Sequence, residues 1–562
     1  MKRLLICIVL AISFLIRVAS VTNFPVGFNA DEASFGYDAY SILHTGRDQW
    51  GNLLPIVLKS FGDYKSPVYG YLDVPFIAIF GLNVFATRFP NVLVGTLAVL
   101  FVYLLTKELF EKYKNNLGIN DTFSPAIVTA FLLAVNPWAV MMSRGAFEAN
   151  LITLFLPAGI YFFLKGLKHS KFFIWSAIFF GISLFTYHSA KLITPLVIIG
   201  LFVIFYKDLK RIGFRKLFLS LVIFIIFCIA IAYSFTLGGG ARISERSITQ
   251  GALEEGAEAK IKLIQMGKNP IVSKILHNKY QVVANRFTTN YIQYFSPRFL
   301  FTKGAAEFYY GMVANVGTIY IFEGILLFGL IPVLLNKKSR LVLLPIIVWL
   351  LIAPLPAALA SGTGYSGNRA EGMLPVLQIL EGFGFIGWTL FLRGKKFSVL
   401  PTLVFCIFSI YQIFIFKSDY FKPQPNNVNG QMLYGNLDMA NYLHENSNGR
   451  NVILSRSLSE PQIFIAFSSK LPPSDYQKNT KNWNFDKSGL SWLDQLPSYS
   501  LANYTIRSFD WKTDVNLPNT LLVGHPDDFP KNIVAIKTFY FPDGTPSIYV
   551  VNPLNKAYAK AN

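Results

Sequence analysis

Charged side chains are scarce in this chain. They make up 15% of its 562 residues, against roughly 25% in soluble domains, which excludes an ordinary water-soluble globule. Acid is the rarer sign, with 31 Asp and Glu against 51 Lys and Arg. Cysteine is nearly absent. Cys7, Cys228 and Cys406 all lie inside apolar runs, which excludes a disulfide-stapled fold and a zinc pattern. The chain has no internal repeat, no low-complexity tract and no nucleotide-binding glycine fingerprint. It also lacks the basic stripe with interleaved aromatics that marks a nucleic-acid partner.

Apolar residues fill the space: 53% of the chain, with a mean hydropathy of +0.42. Runs such as LLICIVLAISFLI, SLVIFIIFCIAIAYSF and LVLLPIIVWLLIAPLPAAL approach or reach the roughly 20 residues of a membrane-crossing helix. Open sheet is excluded in hydrocarbon, where nothing satisfies its backbone. The pattern predicts an α-helical multi-pass membrane protein of about eleven spans. They fall near 4–20, 86–106, 123–142, 148–164, 172–187, 190–206, 215–236, 317–335, 341–359, 371–391 and 397–416. Basic gaps, such as Lys165, Lys168 and Lys171, or Lys207, Lys210 and Arg211, alternate with gaps of mixed charge. Most of the +20 net charge is therefore a positive-inside signal. It places the N-terminus in the cytoplasm and the C-terminus outside, in a plasma (inner) membrane. Arg17, ending the first span, is expected to snorkel to the outer interface.

Residues 1–416 form the expected membrane domain, with long extracytoplasmic loops at 21–85 and 237–316. The composition then turns polar. In 417–562, NVILSRS, NTLLVG and SIYVV have strand character, QMLYGNLDMANYLHEN and PQIFIAFSS helical character, and FPDGTP is a hairpin turn. A small extracytoplasmic α/β domain is expected there.

Four features fall on the outer side. Asp31 and Glu32 follow the first span; helix capping by Asp31 ahead of a helix from Ala33 is the plain alternative. Glu148 opens a span, where an acid is costly without a cavity or partner; Arg144 is a candidate partner. Lys65 precedes Ser66-Pro67 on extended backbone, an outward point charge, with lipid-headgroup contact as its alternative. Arg369 suits bidentate phosphate binding or an interfacial anchor. Two acids and two cations at one face make a coherent site. A carboxylate there can take a proton from a hydroxyl, while the cations hold a lipid phosphate.

The residues resemble the protein O-mannosyltransferase and aminoarabinose transferase superfamily, the polyprenyl-phosphate-sugar-dependent glycosyltransferases of GT-C architecture, and most of all their bacterial family 39-like branch. The resemblance rests on Arg17, DEA (31–33), Tyr-Lys-Ser-Pro with Tyr69 (64–69), FGLNVFATRFPNVLVG (80–95), SRGAFEANL (143–151), FLFTKG (299–304), VGTIY (316–320) and NRAEGMLPVLQIL (368–380). It implies Asp31 as base or acceptor-positioning residue, with Glu32 beside it and Glu148 as the second acidic motif. It implies Lys65 and Arg369 as donor-phosphate ligands, with Tyr64 and Arg144 in support. Lys-Ser-Pro stands where the aminoarabinose branch has Lys-Pro-Pro. Loop 237–316 is too short for the β-trefoil of the mannosyltransferase branch. The implied reaction is an inverting displacement from a polyprenyl-phosphate sugar donor to an acceptor hydroxyl on lipid, glycan or protein. No metal site is assigned, although the acids suit a divalent ion.

Two other classes fit the bulk features. A lipid-linked-sugar transporter predicts mid-depth polar groups and broken helices; the spans read as nearly free of mid-depth charge. A lipid-linked glycan ligase or polymerase fits the large loop with Arg242, Arg246, His277 and Arg286. A non-catalytic membrane scaffold is the bland remainder.

Overall fold

The computed structural model describes residues 2–117, 124–240, 247–267, 269–305, 307–313, 315–362, 365–392, 400–422, 430–447 and 449–554. Helices lie within each of the apolar stretches. The first part of the chain runs α1 (Lys2–Val18), α2 (Ala30–Thr45), β1 (Leu58–Lys59), β2 (Tyr64–Lys65), α3 (Val68–Phe80) and α4 (Val84–Leu117). It continues through α5 (Pro125–Val135), α6 (Pro137–Met142), α7 (Ile152–Lys168), α8 (Phe172–Ser183), α9 (Ala190–Ile204), α10 (Tyr206–Ile212) and α11 (Phe214–Ser234). Among the described residues, five helices are both long and apolar enough to cross a bilayer, or six if α9 and α10, bent by 77°, form one span. The expected span 123–142 is two helices. Pro137 takes a first-turn position, and Asn136 restarts the helix by accepting from the Ala139 amide at 2.9 Å. Lys165 and Lys168, at the end of α7, reach Glu108 of α4 at 3.1 and 2.5 Å, so this basic gap joins two helix ends on one side. Arg242, Arg246, Arg393, Lys395, Lys396 and the start of the last span lie outside the described residues.

Two expectations fail inside the helical body. Arg17 does not snorkel; it is 1% exposed. Its guanidinium donates to Ser13 Oγ at 2.8 Å and to the carbonyls of Ala134 at 2.8 Å and Leu133 at 3.3 Å. These carbonyls end α5, where a helix has no amide left to satisfy them and carries partial negative charge. The spans are also not free of buried charge: Glu323 and Glu381 are completely buried. Glu323 closes its own helix start by accepting from the Tyr320 amide at 2.9 Å. That local role was hidden in a run that hydropathy alone describes.

The C-terminal region builds a six-stranded mixed sheet. Its strands are β3 (Asn451–Leu454), β4 (Ser498–Leu501), β5 (Tyr504–Arg507), β6 (Thr520–Gly524), β7 (Lys537–Tyr540) and β8 (Pro546–Val551). Their order is β4-β5-β3-β6-β8-β7. The central β3 is parallel to both neighbours, with Val452 opposite Tyr504 and Leu521. Such a strand is covered on both faces, as its apolar sequence requires. FPDGTP makes the β7–β8 turn, with Gly544 at φ +87° and the Phe541 amide on Thr545 O at 2.8 Å. The β4–β5 hairpin and β7 have no counterpart among the expected strands, because SYSL and YTIR alternate polar with apolar residues and carry little net hydropathy.

This sheet does not close a core by itself. One buried cluster contains Phe28, Ala33, Tyr37 and Phe61 from the first loop together with Leu443, Phe464, Phe467 and Leu521. Tyr37 donates to Leu471 O at 2.8 Å, its ring lies 4.9 Å from that of Tyr476, and the Leu493 amide donates to Phe61 O at 2.8 Å. Helix α2 is thus gripped between the membrane helices and the C-terminal region.

Candidate active site

Helix α2 starts three residues earlier than expected. Asn29 caps it, accepting from the Glu32 amide at 2.8 Å, while Glu32 accepts from the Asn29 amide at 3.3 Å. This is a reciprocal capping box, so Asp31 is not the cap. It stands in the first turn, half-buried, and no hydrogen bond or ion pair holds it among the described residues.

Glu32 is placed for structure. It is completely buried and meets Arg88 of α4 through two bonds of 2.9 Å. It also accepts from the Ala146 amide at 2.8 Å, which ties α2 to the loop carrying Glu148. Arg88 donates further to the carbonyls of Val21 at 2.9 Å, Pro25 at 3.1 Å and Gly27 at 2.5 Å. Asn91, one turn on, holds the carbonyls of Gly145 and Phe147 at 2.7 and 2.9 Å. Two polar residues three apart in an apolar helix were the available signal for this brace. Arg144 is a brace as well rather than the partner expected for Glu148. Its guanidinium donates to the carbonyls of Ile16, Arg17, Ala19 and Phe24 at 2.6 to 3.2 Å and stacks over Phe421 at 4.8 Å.

Lys65 is extended as expected, with Leu58 opposite it across β1 and β2. It is not an outward charge; it is 4% exposed beneath α2. Its ammonium donates to Ser34 Oγ at 2.6 Å, lies 3.4 Å from Asp38 Oδ2 and sits 4.0 Å above the Phe35 ring. Burial pushes the Asp38 carboxyl up to about 7, against the pull of Lys65 and with the charge of Asp48 adding to the rise. Tyr64 contributes its carbonyl, which His188 Nε2 approaches at 3.0 Å.

These elements line a partly open pocket whose wall includes Asp31, Phe35, Lys65, Glu148, Tyr187 and Asn368. Asp31, Lys65 and Glu148 therefore come together from three segments. Glu148 opens a short 3-10 turn and feels the charge of Lys191, at the first turn of α9. The fourth segment delivers Asn368 rather than Arg369. Asn368 is 3% exposed, and its amide oxygen has no hydrogen-bond partner among the described residues. Its backbone amide donates to Glu307 at 3.1 Å, as does the Ser366 hydroxyl at 2.8 Å. Arg369 is absent from the lining; its guanidinium is 3.5 Å from Ser361 O and within electrostatic reach of Glu307. Of the residues that suggested a ligase, Arg286 holds the carbonyls of Ile248 and Gln250 within its own loop. Among the described residues, no three His, Cys, Asp or Glu side chains gather as a metal-ligand set.

The chain has the GT-C fold. It superposes on ArnT from Cupriavidus metallidurans bound to undecaprenyl phosphate with a TM-score of 0.51, over 98% of this chain and 97% of that one, at 10% identity. The apo state of ArnT gives a TM-score of 0.50 over the same shares. Residues 64–233 match the family model described as dolichyl-phosphate-mannose-protein mannosyltransferase. A Bacillus subtilis (strain 168) protein named as a mannosyltransferase, YycA, is 23% identical over 173 residues. That match covers 31% of this chain and only 23% of YycA. The fold expected from the sequence is met: a multi-pass helical membrane protein with the GT-C fold.

Proposed function

We propose that the protein transfers a sugar from a polyprenyl-phosphate donor to an acceptor hydroxyl. The reading places this on the extracytoplasmic face of the plasma membrane, with the N-terminus in the cytoplasm. The observation that carries it is the meeting of Asp31, Lys65 and Glu148 on one cavity. The acceptor hydroxyl attacks the anomeric carbon and its proton passes to Asp31. The bond from that carbon to the phosphate oxygen breaks, and the electron pair leaves on polyprenyl phosphate, whose charge the Lys65 ammonium balances. One such displacement inverts the configuration. Glu148 faces the same cavity and serves to orient the sugar or acceptor. Glu32 and Arg144 hold the walls.

The test is transfer from synthetic undecaprenyl-phosphate mannose, and from the glucose and aminoarabinose analogues, into membranes containing the protein. Asp31→Asn is expected to lower the rate about 10²–10⁴-fold, the usual worth of a positioned base. Lys65→Ala is expected to weaken donor use. Full activity in Asp31→Asn refutes the mechanism, and no transfer from any lipid-phosphate sugar by the wild type refutes the function.

A further inference from the structure

The turn Gly367–Ala370 leads towards the helix Leu374–Phe391 and is tied down at several points. The Ser366 amide donates to the Tyr294 hydroxyl at 3.0 Å. Ser366 Oγ and the Asn368 amide both donate to the Glu307 carboxylate, at 2.8 and 3.1 Å. Gly367 lies so close to Ala305 that a Cβ on it would stand 2.6 Å from the alanine Cβ. These ties use the backbone and Ser366, and the Asn368 side chain takes part in none of them. That side chain lines the pocket shared by Asp31, Lys65 and Glu148. It is 3% exposed, and its Oδ1 is shielded from bulk water and accepts no hydrogen bond among the described residues. Buried polar atoms in native folds are nearly all bonded, and an unmade bond at a buried acceptor is costly. An acceptor held in this way on a pocket wall is an acceptor for what the pocket binds.

We propose that Asn368 is a specificity-determining residue for the sugar, its amide oxygen accepting a hydrogen bond from one ring hydroxyl of the donor. This rests on the transfer reading above. The chemistry of the atom selects its partner. An amide oxygen only accepts, and the phosphodiester of a lipid-phosphate sugar also only accepts, so the two do not bond. The partner has to carry a proton on oxygen or nitrogen, and the sugar carries several. Phe35, Tyr187 and Tyr310 line the same pocket. Their rings suit the C–H face of a pyranose, and a few placed polar groups then fix its orientation, as is usual in such pockets. Lys65 meets the phosphate and Asn368 meets the sugar. The segment whose arginine suggested a phosphate ligand supplies a sugar ligand one residue earlier. Because the turn is fixed by Glu307 and Tyr294, the amide oxygen stands at one place and distinguishes sugars by which hydroxyl reaches it.

The experiment measures equilibrium binding, without turnover, to the full chain in nanodiscs. The probes are radiolabelled undecaprenyl-phosphate mannose and undecaprenyl-phosphate glucose, the monodeoxy analogues of each, and undecaprenyl phosphate without a sugar. The wild type is expected to bind at least one deoxy analogue ~10-fold more weakly than its parent, the worth of one hydrogen bond at a buried acceptor. Asn368→Ala and the closer-sized Asn368→Leu are each expected to bind the parent donor ~10-fold more weakly. They should bind that same deoxy analogue no worse than the parent, with undecaprenyl phosphate binding unchanged. A structural role alone weakens every probe alike, undecaprenyl phosphate included, and that result overturns the proposal. So does a wild type indifferent to every deoxy analogue, or a variant that keeps the wild type's pattern of losses. Failure of the transfer reading looks different: the wild type then binds neither sugar donor, and both readings fall together.

Discussion

Asp31 and Glu32 are neighbours of the same chemistry, and the structure predicts opposite responses to neutralising them. In Glu32→Gln the volume is kept, but Arg88 loses its counter-charge in a fully buried place. Removing one partner of a buried pair costs about 3–5 kcal/mol, because the remaining charge is uncompensated. Three carbonyls still accept from Arg88, so the lower end, about 3 kcal/mol, is expected; at RT near 0.59 kcal/mol that is about a 150-fold change in the folded-to-unfolded ratio. Asp31→Asn removes no hydrogen bond or ion pair among the described residues. It should stay within about 0.5 kcal/mol of wild type, as surface changes do. The assay is thermal unfolding of the purified protein in nanodiscs, followed by tryptophan fluorescence and by recovery of monodisperse protein after heating, beside the transfer rate. Glu32→Gln should melt several degrees lower, Asp31→Asn with the wild type but without transfer. The double variant Glu32→Gln/Arg88→Met should recover part of the loss, since a buried pair replaced as a whole is often neutral. Equal melting of the two single variants, or additive losses in the double variant, would refute this division of roles.

The Asp38 carboxyl, raised to about 7, makes stability fall with rising pH. The native state holds this proton between about pH 4 and 7 while the unfolded chain, with an ordinary Asp near 3.9, has released it. The penalty is absent below that window and complete above it, on the order of 4 kcal/mol for a shift of about three units. Asp38→Asn should flatten the melting temperature between pH 5 and 8, and an unchanged slope would count against it. At Gly36, a Cβ would lie 2.4 Å from Thr87 Oγ1 and 2.8 Å from Phe467 Cε2. Gly36→Ala should therefore cost about 1–3 kcal/mol by overpacking and leave the C-terminal region open to limited proteolysis; a wild-type digestion pattern would show that α2 is not gripped as described.

The sequence by itself determined what depends on neighbours along the chain. Long apolar runs place helices, because a lipid environment leaves the backbone no other partner. The polar C-terminal stretch announces strands through its apolar runs; the Asn29-Ala-Asp-Glu32 capping box is also a local pattern, although the expected cap was Asp31, ahead of a helix from Ala33. The candidate site residues Asp31, Lys65 and Glu148 were also visible, as charges beside apolar stretches. The tertiary structure alone decided their roles. Glu32 and Asp31 differ only because Arg88, 56 residues away from Glu32, can reach one and not the other. Lys65 is buried because α2 lies over it, and Arg17 because the end of α5 offers carbonyls. The C-terminal region meets α2 across more than four hundred residues because they share an apolar core, with Tyr37 bonded to Leu471 O. Burial and counter-charge set whether a carboxylate is a brace or a base, and both are properties of what packs around it in space.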